Sequence, residues 1–209
     1  MDNLRLAYAA CRIGFYRLTN RITGRVPPPS KPHKHVVCIG LNNSGKSAAL
    51  SLAAGEQIDQ LQPTEGFHIK DVELTDCILT VKEIGGSEKI RKYWSHYYKG
   101  AQGVIFVVDG AGEASELETA RAALVEAMDD PQLSGLPILL LVTHQDVERT
   151  HPKSANEMSE LWGLKELYPE NISIYSTSIK HIGQLKAAFN AFGNILVHGT
   201  TSPTDVQVS

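Results

Sequence analysis

The residues with the clearest capacity for chemistry lie in one short stretch, Gly40-Leu41-Asn42-Asn43-Ser44-Gly45-Lys46-Ser47, which fits the pattern G-x-x-x-x-G-K-[ST]. Such a stretch binds phosphate. Gly40 lets the chain leave a strand sharply, and Gly45 lets the backbone approach an anion closely. The N–H groups of Asn42, Asn43, Ser44 and Gly45, with those of Ser47 and Ala48 at a helix start, then form an anion cradle. Lys46 adds a point charge for the outer phosphates, and the Ser47 hydroxyl is a natural Mg²⁺ ligand. An ordinary glycine-rich turn would explain the glycines alone. The Lys-Ser pair, between an apolar run and a helical one, favours phosphate.

The surrounding pattern supplies the elements that must position this loop. Residues 35–41 (HVVCIGL) read as a buried strand and 45–54 as a helix. Strands follow over 67–74 and 77–83, joined by a tight turn at Thr75–Asp76. Residues 104–109 (VIFVVD) and 137–143 (PILLLVT) are wholly apolar strands, and 172–176 is a further one. Helices are expected over 115–129, 154–161 and 183–197. Apolar strands alternating with helices mean an α/β fold with a mostly parallel six-stranded sheet and helices on both faces. Before it, residues 2–25 have the spacing of an amphipathic helix, with Leu4, Tyr8, Cys11, Phe15, Leu18 and Ile22 on one face and several arginines elsewhere. A proline-rich linker follows, so the expected division is 1–32 for helix and linker, 33–198 for the globular domain and 199–209 for a polar tail.

Composition narrows the function class. Net charge is −3 and charged residues are 21% of the chain, which gives no basis for nucleic-acid binding. The three cysteines, Cys11, Cys38 and Cys77, are far apart, and no secretory leader is visible, so a reducing cytosol is expected. No apolar run is long enough to span a bilayer.

Further stretches occur in a set order behind the loop: Pro63-Thr64-Glu65-Gly66-Phe67, then Glu83-Ile84-Gly85-Gly86-Ser87 with Arg91-Lys92-Tyr93-Trp94 and His96-Tyr97-Tyr98, then Thr143-His144-Gln145-Asp146, then Ser176-Thr177-Ser178. With the phosphate loop they resemble the Arf and Arf-like small GTPases over about residues 35–197, and within that family an atypical branch. The resemblance implies a P-loop small-GTPase fold, GTP or GDP with Mg²⁺ as cofactors, and two switch segments. It implies that Thr64 senses the metal and the γ-phosphate, that the Gly86 N–H contacts the γ-phosphate, and that Ser47, Thr64 and Glu83 surround the metal. Thr143, His144, Asp146 and Ser178 fall at the base-recognition positions. The hairpin between the switches would shift register between nucleotide states, coupled to the N-terminal helix. A monomer is expected.

Several residues depart from the family pattern. Ser87 stands where glutamine usually orients the attacking water, and its hydroxyl is too short to reach the same place, so intrinsic hydrolysis below about 10⁻⁴ s⁻¹ is expected. Another side chain or a partner supplying that function is the alternative. Glu83 replaces an aspartate, which keeps the carboxylate but alters its reach. Thr143 replaces an asparagine, at an expected cost of about 1–3 kcal/mol in affinity. Asp146 remains: it can accept from guanine N1–H and the 2-amino group, donors that adenine lacks. His144 replaces a lysine, and either stacks on the base or is an exposed loop residue.

Surfaces complete the reading. Residue 2 is Asp, so the myristoylation pattern is absent, and no C-terminal cysteine offers prenylation. The cationic helix is expected to meet a membrane interface, strengthened by palmitoylation at Cys11, or else to pack its stripe on its own domain. The resemblance places Phe67, Trp94 and Tyr97 at positions used for effectors, so they are expected to form an effector-binding surface. The functional expectation is therefore a guanine-nucleotide switch that recruits partners at membranes, against a non-switching interaction module with weak or constitutive nucleotide binding. A small P-loop kinase is disfavoured by Asp146 and by the lack of an arginine-rich lid.

Overall fold

The computed structural model describes residues 30–58, 62–147 and 151–199. The expected N-terminal helix with Cys11 and the polar tail lie outside the described residues. The first strand, β1 (His33–Ile39), is followed by α1 (Lys46–Ala53), the hairpin β2 (Phe67–Glu73) and β3 (Ile78–Ile84), and a short helix α2 (Glu88–Arg91) with a 3₁₀ turn at Trp94–Tyr97. Then come β4 (Val104–Asp109), α3 (Ala114–Asp129), β5 (Ile138–Thr143), α4 (Ala155–Trp162), α5 (Leu164–Leu167), β6 (Ile172–Ser176) and α6 (Ile182–His198).

The sheet has the order β2-β3-β1-β4-β5-β6, and only the β2–β3 pair is antiparallel. The apolar runs that looked continuous in sequence divide by alternation between its faces. Val37, Ile39, Phe106 and Leu140 point into one cluster with Leu124, Met158 and Trp162 from α3 and α4. Val36, Cys38, Ile105 and Leu141 point into the other with Leu50 from α1 and Phe189 and Phe192 from α6. Burial on both faces is why these strands carry no polar alternation.

Local rules fix the element ends. Glu113 with Glu116, and Ser154 with Glu157, form reciprocal caps at the starts of α3 and α4. Gly163, at φ 63°, closes α4 in a left-handed conformation. Strand β1 begins two residues earlier than expected because His33 and Lys34 pair with Ile78 and Leu79, and it stops at Ile39 where Gly40 turns away. The expected turn at Thr75–Asp76 is present: the Leu74 N–H donates to the Cys77 carbonyl at 2.9 Å, and Asn190 of α6 accepts from the Thr75 N–H and hydroxyl, both at 3.0 Å. The short helices α2 and α5 carry too few residues to show a period, and the sequence did not reveal them.

One surface expectation is corrected. Trp94 is buried at 5% exposure in the cluster beneath α3, and its indole N–H donates to the Gly85 carbonyl at 2.9 Å. It braces the chain after β3 from inside and offers no surface to a partner. Phe67 is exposed and Tyr97 half-buried, with ring centroids 5.1 Å apart.

Candidate functional site: a phosphate cradle and a base pocket

The strand order reverses about β1, because β3 lies on one side and β4 on the other. In open α/β sheets, ligands bind outside the strand carboxyl ends at such a point. The phosphate loop sits there. Gly40 adopts φ 150°, and a Cβ on it would lie 2.2 Å from the Val107 carbonyl oxygen, so only glycine passes. Gly45, at φ 86°, starts α1 and accepts the Ala49 N–H at 2.9 Å. Asn43, at φ 59°, is a left-handed residue that asparagine tolerates. No acidic residue lies in the first turn of α1, so the positive end of the helix faces the loop unopposed.

Lys46 is buried, and its ammonium donates to the carbonyls of Gly40 at 3.1 Å and Leu41 at 2.6 Å. Burial pulls its pKa below the ordinary lysine value, opposed by the Glu83 carboxylate nearby. Cys38, beneath the loop, is pushed upward, first by burial and then by Glu83, and stays a thiol. Ser47, Thr64 and Glu83 come from three separate segments and meet at one point. The Ser47 hydroxyl donates to Glu83 Oε1 at 2.5 Å, the Thr64 hydroxyl donates to the same oxygen at 3.2 Å, and the two hydroxyls are 3.4 Å apart.

That donor set fits a small hard cation. It supplies one carboxylate and two hydroxyls, all oxygen, beside a phosphate cradle that would complete the coordination. Among the described residues there is no group of three or more His, Cys, Asp and Glu side chains that could hold a metal ion. Gly86 lies against the cradle: a Cβ there would be 2.3 Å from the Gly40 carbonyl oxygen and 2.5 Å from that of Leu41. The Gly85 N–H donates to the Gly66 carbonyl at 2.8 Å, which staples the segments before β2 and after β3 together. Ser87 precedes α2, and its carbonyl accepts from Ile90 and Arg91, both at 2.9 Å.

The base side is built from side chains. Thr143 is buried, with its hydroxyl 2.9 Å from the Ser44 carbonyl and 3.0 Å from that of Val108, so it ties the phosphate loop to the sheet. His144, at φ 57°, places Nδ1 2.8 Å from Asp109 Oδ1. Asp146 accepts from the Ser178 hydroxyl at 2.9 Å, and Lys180 lies 3.6 Å from its other oxygen. Burial pushes the Asp146 carboxyl up. Bonds from Ser178 and its own backbone, with the charge of Lys180, outweigh that and hold it below the usual aspartate value. Ser176 faces elsewhere, accepting the Ala155 N–H at the start of α4.

Two participants were missed in sequence. Asp109 is the one carboxylate closing an apolar strand, and that position was its only signal. Lys180 lies two residues beyond Ser178, in a stretch with no pattern of its own.

Comparison with known proteins adds an independent line. Residues 25–195 match the profile of the ADP-ribosylation factor family. The chain is 42% identical over 197 residues to ADP-ribosylation factor-like protein 15 of Homo sapiens, covering 94% of this chain and 95% of that protein. The Bos taurus protein of that name is 40% identical, with 94% and 96% covered. Among solved structures, the Arl6 BBS3 small GTPase of Trypanosoma brucei with bound nucleotide analogue GppNp shares the fold at a TM-score of 0.70 and 23% identity, over 80% of this chain and 99% of that one.

Proposed function

Because this chain belongs to the ADP-ribosylation factor family, we propose that it is a guanine-nucleotide switch that binds GTP with Mg²⁺ and recruits partners while the γ-phosphate is in place. The observation that carries this reading is the meeting of Ser47, Thr64 and Glu83 within hydrogen-bond reach. The phosphate loop, the first switch and the start of the second each contribute one member. Any group that binds there reports to both switches.

Lys46 and the backbone N–H groups of residues 42–48 hold the phosphates. Ser47 and Thr64, with Glu83, would hold Mg²⁺, which when bound neutralises phosphate charge. Thr64 and Gly86 lie just outside the two ends of the β2–β3 hairpin, so loss of the γ-phosphate releases both. The Asp146 carboxylate selects guanine by accepting from N1–H and the 2-amino group on the base edge. The exposed Phe67 at the start of β2, with the half-buried Tyr97 against it, provides an aromatic anchor for an effector. The cationic N-terminal segment supplies contact with a membrane surface, and reversible palmitoylation at Cys11 would strengthen it. Ser87 leaves the water-positioning place without its amide, so hydrolysis is slow.

Two measurements test this. Protein loaded with a non-hydrolysable GTP analogue should capture partners that the GDP-loaded protein does not. Single-turnover hydrolysis should run below about 10⁻⁴ s⁻¹, and a rate well above it would remove the argument from Ser87. State-independent capture would instead favour a constitutive interaction module, the reading that Ser87 also supports.

A further inference from the structure

We propose that Asp109 is a positioning residue of the base pocket, whose carboxylate fixes the His144 imidazole as the platform for the face of the base. The inference rests on the guanine-nucleotide reading above and deepens it. Asp109 ends β4 directly beside Thr143 of β5 in register. Its Oδ1 accepts the Ala111 N–H at 2.8 Å and lies 2.8 Å from His144 Nδ1. The backbone amide sets the carboxylate, and the carboxylate sets the ring.

The ring needs such a hold. His144 occupies a left-handed conformation, φ 57°, which residues with a Cβ rarely adopt. Its neighbours enforce that geometry. The Val147 N–H donates to the His144 carbonyl at 3.2 Å, and the Gln145 amide donates to the carbonyls of Thr143 at 3.2 Å and Lys153 at 2.8 Å. With Nδ1–H directed at a carboxylate the tautomer is fixed, and Nε2 and the ring faces remain. The imidazole is 36% exposed. In the chain His144 follows Thr143, which touches the phosphate loop, and stands two residues before Asp146, the proposed reader of the base edge. Other charged groups of this corner are engaged elsewhere: Asp146 with Ser178 and Lys180, and Glu116 with the Glu113 N–H. The two aspartates divide the work, one reading the edge of the base and the other setting what meets its face.

The test measures dissociation constants of the chain for GDP and for IDP, whose base lacks the 2-amino group. Asp109→Asn and His144→Ala should each weaken both nucleotides by about tenfold and leave the GDP-to-IDP ratio unchanged, because stacking is blind to edge groups. Asp146→Asn should instead collapse that ratio. The double variant Asp109→Asn/His144→Ala should bind no worse than His144→Ala alone. His144→Lys, which keeps a donor for Asp109 and a stem to lie on the base, should recover most of the loss, but not when combined with Asp109→Asn. Asp109→Asn that binds both nucleotides as tightly as the unaltered chain, or losses that multiply in the double variant, would overturn the proposal. Should Asp109→Asn fold poorly by thermal melting, His144→Ala and His144→Lys carry the same test. An unaltered chain that binds neither nucleotide refutes the parent reading instead.

Discussion

The two ends of the nucleotide site are built by different means. At the phosphate end the working groups are backbone amides, a buried lysine and a buried carboxylate, all within or directly beside β1, α1 and β3. At the base end they are side chains from separate strand ends and loops, ranging from the buried Ser178 to the exposed Lys180, joined by the pairs Asp109–His144, Ser178–Asp146 and Lys180–Asp146. The contrast teaches where tolerance lies. A backbone cradle admits few changes, because Gly40 and Gly86 leave no room for a Cβ. A side-chain pocket can be rebuilt, as Thr143 and His144 suggest, provided new pairs replace old ones.

The largest effect should come from the bracing of the phosphate end. Trp94→Ala removes a buried indole and its bond to the Gly85 carbonyl, and should lower unfolding free energy by about 3–5 kcal/mol in urea titration. A loss below about 1 kcal/mol would mean that the second switch is not held from beneath. Lys46→Ala comes next, costing GTP and GDP roughly 2–5 kcal/mol of binding by calorimetry. Binding equal to that of the unaltered chain would end the case for a phosphate cradle.

How far each end was legible in the sequence follows from the same contrast. The phosphate loop was readable because its chemistry depends on contiguous residues, and Gly40 through Ser47 perform it in order, whereas Thr64, Glu83 and Gly86 were placed by family resemblance. The sheet was readable because β4 and β5 are apolar without interruption and buried on both faces. Asp146 and Ser178 were legible only through family resemblance, since they lie apart in sequence. Asp109 gave no pattern, because a carboxylate at a strand end is meaningless until a residue on the neighbouring strand's loop meets it. Trp94 was misplaced because the family resemblance put it at an effector position, whereas tertiary packing turns it inward.

Thr143 joins the two ends, and a mutation there sharpens the comparison. Thr143→Val keeps the shape but deprives the Ser44 carbonyl of a buried donor, at about 1–3 kcal/mol. If the threonine acts as a tie between loop and sheet, stability and nucleotide affinity should fall together, with GDP and IDP affected alike. A change in the GDP-to-IDP ratio alone would instead make it a direct reader of the base.

The smallest effect should come from Ser178→Ala, and its pH dependence distinguishes it. Asp146 is raised by burial but held below the ordinary carboxylate value by Ser178, its own backbone and Lys180. A depressed folded-state pKa contributes stability that is present above the unfolded value and lost as pH falls through the folded one. Removing the Ser178 hydroxyl shifts the folded value upward, toward the ordinary one. At neutral pH the carboxylate stays ionised in both proteins, so guanine selection persists and the loss of stability should be about 1 kcal/mol. On acidification, the Asp146 contribution should disappear at a higher pH in the variant. Urea titrations at neutral pH and near pH 4, about the ordinary carboxylate range, compare the two limbs. Coincident acid limbs would show that the Ser178 bond does not set the charge of Asp146, and that the base end owes its carboxylate to Lys180 and the backbone alone.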